Sequence, residues 1–117
     1  MGYVYLLMST DSDGFRELFK IGITKTSVEK RIKSLTTGNP NKITLINSYN
    51  SKNYKEIEKW LHSRYSLSKT QSENEWFFLT DEEVINFIDT CKKIEGTIEL
   101  IKSTSTFNSY PEQKFHL

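Results

Sequence analysis

YVYLLM at residues 3–8 and LFKIGI at residues 18–23 decide how this chain folds. The first stretch is aromatic, β-branched and aliphatic with no polar alternation, the pattern of a strand buried on both faces. The second alternates. Phe19, Ile21 and Ile23 share one face, and Lys20 and Gly22 share the other. Residues 9–14 (STDSDG) between them form a turn by composition, so the two stretches are expected to pair as an antiparallel hairpin. A glycine inside a strand marks close approach by another backbone or a ligand, which singles out Gly22.

Further along, Thr26 and Glu29 have the spacing of a capping box, and Val28, Ile32 and Leu35 then recur at helical intervals. Residues 37–40 (TGNP) end that helix. A third strand is expected over residues 43–49. A second helix follows over 54–65, with Ile57, Trp60 and Leu61 as its buried stripe. Residues 66–74 are polar and loop-like, and residues 75–79 (EWFFL) read as a short fourth strand. Thr80 and Glu83 form a second capping box, opening a helix with Val84, Phe87, Ile88 and Cys91 on its apolar face. After Gly96 the chain is rich in serine and threonine, and residues 97–101 read as a last strand or an extended segment. The sum is an α+β domain: a small mixed or antiparallel sheet of three to four strands flanked by helices. Residues 1–95 make the domain, and 96–117 a tail or an extension of it. Trp60, Trp76, Phe77 and Phe78 are expected to pack its core.

Bulk properties narrow the setting. A chain of 117 residues is one ordinary domain, able to bury roughly two-thirds of its unfolded surface. Seven Phe, six Tyr and two Trp build a core from few residues. The single cysteine, Cys91, excludes an internal disulfide and a cysteine-based metal site, and it reads as a packing residue. The apolar run near the N-terminus is too short to span a bilayer and lacks the flanks of a signal peptide. Leu6 stands where a myristoylation signal wants serine or threonine. A soluble, cytoplasmic protein without a membrane partner is expected. The net charge is only +1. Its distribution is uneven, because residues 16–42 carry Arg16, Lys20, Lys25, Lys30, Arg31, Lys33 and Lys42 against Glu17 and Glu29. That segment suits contact with phosphates, although a solvated helix face would look the same.

Phosphodiester cleavage needs a base to activate water, a cation for the phosphate and a carboxylate for a metal. Tyr5 brings a phenol into a buried strand, and its hydroxyl needs a partner. Lys20 interrupts an apolar strand beside Gly22. Arg31 falls at the margin of the first helix's apolar stripe and offers a rigid fork for phosphate oxygens. Glu58 and His62 are one helical turn apart and share a face. One glutamate suffices for magnesium, whose other positions water and substrate phosphate fill. Taken singly, each of these residues has an ordinary structural explanation. The combination does not: Tyr3-Val4-Tyr5, Lys20-Ile21-Gly22 and Glu29-Lys30-Arg31 fall on a strand, a strand and a helix in that order. This arrangement resembles the opening of the GIY-YIG nuclease superfamily. Glu58-Lys59-Trp60-Leu61-His62 and Glu75-Trp76-Phe77 resemble one branch of it, the small phage and fungal-type proteins typified by the meiotically up-regulated family. The likeness covers about residues 3–90.

The resemblance implies a divalent-metal-dependent DNA endonuclease using Mg²⁺ or Mn²⁺, with DNA favoured over RNA. It implies that Tyr5 helps activate the attacking water, that Arg31 contacts the phosphate and that Glu58 ligates the metal. Gly22 matches the glycine of the second motif. His62 and Glu75 match recurrent positions of the branch, His62 as a catalytic and Glu75 as a substrate-side candidate. Tyr3, Lys25, Lys30 and Lys33 are further candidates for the substrate-facing surface. Lys20 stands where the wider superfamily has a tyrosine; a lysine there can bind phosphate or stabilise a nearby phenolate. The rival expectation is a catalytically weak or inactive module that binds nucleic acid or protein on the same surface. Monomer and homodimer are both compatible with the sequence.

Overall fold

The structure is a computed structural model and describes residues 1–10, 17–36, 42–66 and 76–107. The turn expected within 11–14, the helix stop at 37–40, most of the 66–74 loop, Arg16, Glu75 and residues 108–117 lie outside the described residues.

The first two stretches do pair. Strand β1 (Gly2–Thr10) runs antiparallel to β2 (Glu17–Thr24), with Tyr5 opposite Gly22 and Leu7 opposite Lys20. Strand β3 (Lys42–Ser51) flanks the other side of β1, and the two-residue β4 (Trp76–Phe77) pairs antiparallel with Phe19 and Lys20 of β2. Among the described residues this gives a four-stranded sheet in the order β3-β1-β2-β4, antiparallel throughout. Helix α1 (Val28–Thr36) covers one face, and helices α2 (Tyr54–Arg64), α3 (Asp81–Ile85) and α4 (Phe87–Phe107) gather on the other. The fold is α+β, as expected.

Strand alternation sorts the core into two layers. Val4, Leu6, Phe19 and Ile21 pack with Ile57, Leu61, Phe77, Phe87, Cys91, Ile94 and Ile98 under α2 and α4. Tyr5 and Leu7 pack with Val28, backed by Tyr3, Ile32, Leu35, Ile43 and Leu45, under α1. Strand β3 serves both layers because of a β-bulge. Leu7 faces Leu45 but Leu6 faces Asn47, so Ile46 is an extra residue and the pairing shifts by one. Ile43 and Leu45 therefore join the α1 layer, while Ile46 and Tyr49 join the other.

Four expectations are corrected. The N-terminal cap of α1 is Ser27 rather than Thr26. The Ser27 hydroxyl accepts from the Lys30 backbone N–H at 3.3 Å and donates to Glu29 at 2.8 Å. Trp60 and Phe78 are 40% and 39% exposed, outside the core. Strand β4 is confined to Trp76 and Phe77, and Asn86 divides the helix opened by Thr80, although the Thr80–Glu83 capping box forms as expected. Residues 97–101 are not a strand. They lie inside α4, which runs through position 96 without a break. Phe87, Cys91, Ile94 and Ile98 follow one another at helical spacing and are all buried. Burying Ile94 and Ile98 contributes roughly 1.5–3 kcal/mol each, which outweighs the ~1 kcal/mol that a glycine costs inside a helix. Among the described residues no helix is long and apolar enough to cross a membrane.

A polar clamp ties α4 to β3 and α2. Ser51 and Tyr49 donate to the Glu95 carboxylate through short hydrogen bonds. The fully buried Asn53 side chain donates to Glu99 at 2.6 Å and accepts from Lys102 at 2.6 Å, and Lys102 also pairs with Glu56 at 3.2 Å. Burial works against the Glu95 carboxylate, but the hydrogen bonds from Ser51, Tyr49 and Asn53 outweigh it and hold the carboxyl below the usual range. Burial first, and then the Glu95 contact, push the Tyr49 phenol from 10.0 to about 12. A carboxyl lowered on folding stabilises above its unfolded value, and that stability is lost as pH falls through the folded one. A phenol raised on folding stabilises below pH 10.0, and that stability is lost as pH rises towards about 12. Urea midpoints measured across pH are therefore expected to form a plateau with a falling limb at each end. Glu95→Gln should lower the plateau and flatten both limbs. Unaltered limbs in that variant would mean that the clamp does not set them.

Candidate active site

Tyr5 is the centre of the α1 layer. Its phenol lies in the middle of β1 and is 1% exposed. Directly across the hairpin sits Gly22, and the ring uses the space that glycine leaves. A β-carbon at position 22 would stand 2.4 Å from the phenol oxygen and 2.5 Å from its ring carbon Cζ. The close approach expected at Gly22 is there, but the approaching group is the Tyr5 side chain rather than a backbone or a ligand. Arg31 comes down from α1, where the turn started by Ser27 aims it at the sheet. Its Nε–H donates to the Tyr5 hydroxyl oxygen at 3.3 Å. That is the loose end of the hydrogen-bond range, so the contact aligns the two groups more than it binds them together. The rest of the Arg31 residue is exposed, as are Lys25, Lys30 and Lys33. Tyr3 lies on the same sheet face as Tyr5 and is half-buried.

Glu58 and His62 belong to the opposite helical layer but reach the strand that carries Gly22. His62 Nε2 is 2.9 Å from the Ile21 carbonyl oxygen. A carbonyl only accepts, so Nε2 carries the proton and donates it there. The ring also meets Phe77 edge-on, with centroids 5.1 Å apart. Glu58 Oε2 lies 3.7 Å from the same Nε2, and both side chains are about one-quarter exposed, at 26% and 25%. The Lys20-Ile21-Gly22 tripeptide thus joins the parts. Gly22 seats Tyr5, the Ile21 carbonyl holds His62 beside Glu58, and Lys20 stands on the Tyr5 face one register step from Gly22. The Lys20 ammonium lies 5.8 Å from the centre of the Trp76 ring, within reach of a cation–π attraction. Trp76 as partner to Lys20 and the Ile21 carbonyl as partner to His62 escape sequence reasoning, since neither contact leaves a mark in local spacing.

Among the described residues no three of His, Cys, Asp and Glu cluster as a metal cage. The donor set therefore does not suit zinc, which wants three or four protein ligands. It does suit magnesium or manganese, which bind through one or two carboxylates with water and phosphate oxygens making up the shell. Glu58 could serve as such a carboxylate: it is partly exposed, and the neighbouring His62 has its Nε2 committed to the backbone.

Comparison with known proteins adds one finding. The T5orf172 domain matches residues 2–92, most of the chain and the whole of the sheet. No curated protein and no solved structure matches it. The domain occurs in phage and related proteins and is related to nuclease folds of the GIY-YIG and HNH types. The chain belongs to the T5orf172 domain family.

Proposed function

We propose that this member of the T5orf172 family is a divalent-metal-dependent endonuclease that hydrolyses phosphodiester bonds in DNA. The observation that carries the reading is the meeting of Tyr5, Gly22 and Arg31, which come from three separate elements. Only a side chain as small as glycine's leaves the phenol its place, and only a long basic side chain from α1 reaches its oxygen. A core tyrosine needing nothing but a partner for its hydroxyl would be served by any nearby carbonyl or water. An exposed guanidinium held against that hydroxyl is the pairing of general base and phosphate clamp that hydrolysis needs.

The residues divide the work as follows. Arg31 donates to the Tyr5 oxygen through Nε, which occupies one of its lone pairs, and its guanidinium contacts the scissile phosphate. Tyr5 orients the attacking water and, in its phenolate form, takes the water's proton and ends as the neutral phenol. Lys20, on the same face, binds phosphate from the β4 side. Lys25, Lys30 and Lys33 attract the flanking DNA strand by charge, while Tyr3 borders the substrate. His62 is a positioning residue, because its Nε2–H fastens α2 to β2 and thereby sets where Glu58 stands. A Mg²⁺ or Mn²⁺ ion held by Glu58 would supply polarisation of the phosphate and charge neutralisation.

The test is incubation with supercoiled plasmid and with single-stranded and branched DNA, each with and without Mg²⁺ or Mn²⁺. Nicked or cut products that require metal are expected. DNA retained in a gel shift but left intact under every metal condition would overturn the hydrolase in favour of a binding module.

A further inference from the structure

The cleft beside Trp60 takes no part in the chemistry proposed above. It is about 510 Å³ and is lined by Glu56, Lys59, Trp60, Ser63 and Arg64 of α2, with Ile94 of α4 behind them. We infer that this cleft holds an unpaired nucleobase of the DNA, stacked on Trp60, with its phosphates on Lys59 and Arg64. The inference rests on the nuclease reading for its place beside a cleavage site and specifies the kind of DNA that site receives.

Four observations point to a nucleotide. Trp60 is 40% exposed, although tryptophan is the most costly side chain to leave in water, and it stands on an ordered helix. Its indole offers a flat aromatic surface, to which bases bind irrespective of sequence. Lys59 and Arg64 flank it, and Ser63 adds a hydroxyl that both donates and accepts. The one acidic group, Glu56, is offset by Lys102 at 3.2 Å, so the lining is basic on balance. An apolar peptide or acyl chain would have to desolvate those cations, whereas a nucleotide matches them.

Position along the helix gives the cleft its meaning. Glu58 and His62 face the sheet, and Trp60 lies midway between them in sequence, so it projects from the far side of the same two turns. A helix with its side chains is about 10–12 Å across, a distance that one strand of DNA spans in a few nucleotides. In a duplex both faces of each base are covered by its neighbours. A base can stack on Trp60 only where pairing is interrupted. The site therefore selects DNA with a single-stranded arm, gap or flap over uninterrupted duplex.

Binding measured in EDTA separates this inference from the catalytic one, since no cleavage is then involved. Fluorescence anisotropy of a labelled oligothymidine and of a hairpin duplex of equal length is followed with the wild-type chain, Trp60→Ala, Trp60→Phe and Lys59→Ala. Trp60→Ala should weaken oligothymidine binding on the order of tenfold or more and leave duplex binding within twofold. Trp60→Phe should recover most of the loss, and Lys59→Ala should reduce the salt dependence of binding. Equal affinity of Trp60→Ala and wild type for oligothymidine would overturn the inference, as would an equal loss on both DNAs. A wild-type chain that binds DNA but cuts it under no metal condition would sink the nuclease reading and leave this result standing.

Discussion

Arg31→Ala is expected to lower plasmid nicking by roughly 10²–10³-fold, the loss typical when one donor to a developing oxyanion is removed. The fold should scarcely register the change. Arg31 is exposed, and its 3.3 Å hydrogen bond to Tyr5 is a loose one, so the free energy of unfolding should move by only about 0.5 kcal/mol. Arg31→Lys keeps the charge but loses the planar fork and the Nε–H, and it should fall between the two. Glu58→Gln has the same shape as Glu58 without its charge. It should be as inactive as Arg31→Ala and should not be rescued by added Mn²⁺. Full nicking by either variant, with thermal unfolding unchanged, would remove that residue from the reaction.

Gly22→Ala should damage both stability and activity. The added methyl would lie 2.4 Å from the Tyr5 oxygen and 2.5 Å from Cζ, closer than nonbonded atoms approach. The phenol cannot swing aside, because it is 1% exposed and packed by Leu7 and Val28. Overpacking of this kind costs about 1–3 kcal/mol. Displacing the ring by even 1 Å would also part it from Arg31, and misplacement on that scale costs about 10²-fold in rate. A double variant distinguishes the two effects. Tyr5→Leu removes the atoms that collide, so Gly22→Ala/Tyr5→Leu should regain much of the stability lost by Gly22→Ala while staying inactive. If Gly22→Ala alone is as stable and as active as wild type, the ring is not seated as described.

How far the sequence could be read depended on how local each feature is. The β1–β2 hairpin, α1, β3 and α2 follow from period-2 and period-3.6 patterns, and the Thr80–Glu83 cap from a three-residue spacing. Gly22 was legible as a place of close approach because a glycine interrupting a strand needs a reason, but nothing in the local pattern named Tyr5 as the group that fills it. Arg31 could be placed on α1, but its contact with Tyr5 spans 26 positions, and only resemblance suggested it. Helix α4 was misread at 97–101 because Gly96 and the threonines around it weaken a helix locally, while the burial of Ile94 and Ile98 that sustains it is tertiary. Ser27 replaced Thr26 as the cap although both suit the role. Asn53 precedes α2 at a capping position, yet its side chain makes no cap and is committed to Glu99 and Lys102 across the layer. No window of neighbouring residues contains that information. Trp60 looked like core because it follows Ile57 by three and precedes Leu61, but it falls at the edge of that stripe, and periodicity does not say how wide the buried face is.

The extra residue at Ile46 fixes where β3 can change length. Before it, odd-numbered positions of the strand face α1; after it, Tyr49 and Ser51 face α4 instead. Removing Ile46 would only erase the bulge, since Leu45 and Asn47 already pair with the adjacent Leu7 and Leu6; one residue inserted between Asn47 and Tyr49 would instead send Tyr49 and every position after it to the other side. Tyr49 and Ser51 would then turn away from Glu95, and the longest helix would lose its fastening through a lesion far from any of its own residues. Among natural variants, single-residue insertions after Asn47 should therefore be far rarer than substitutions at the exposed positions of this strand.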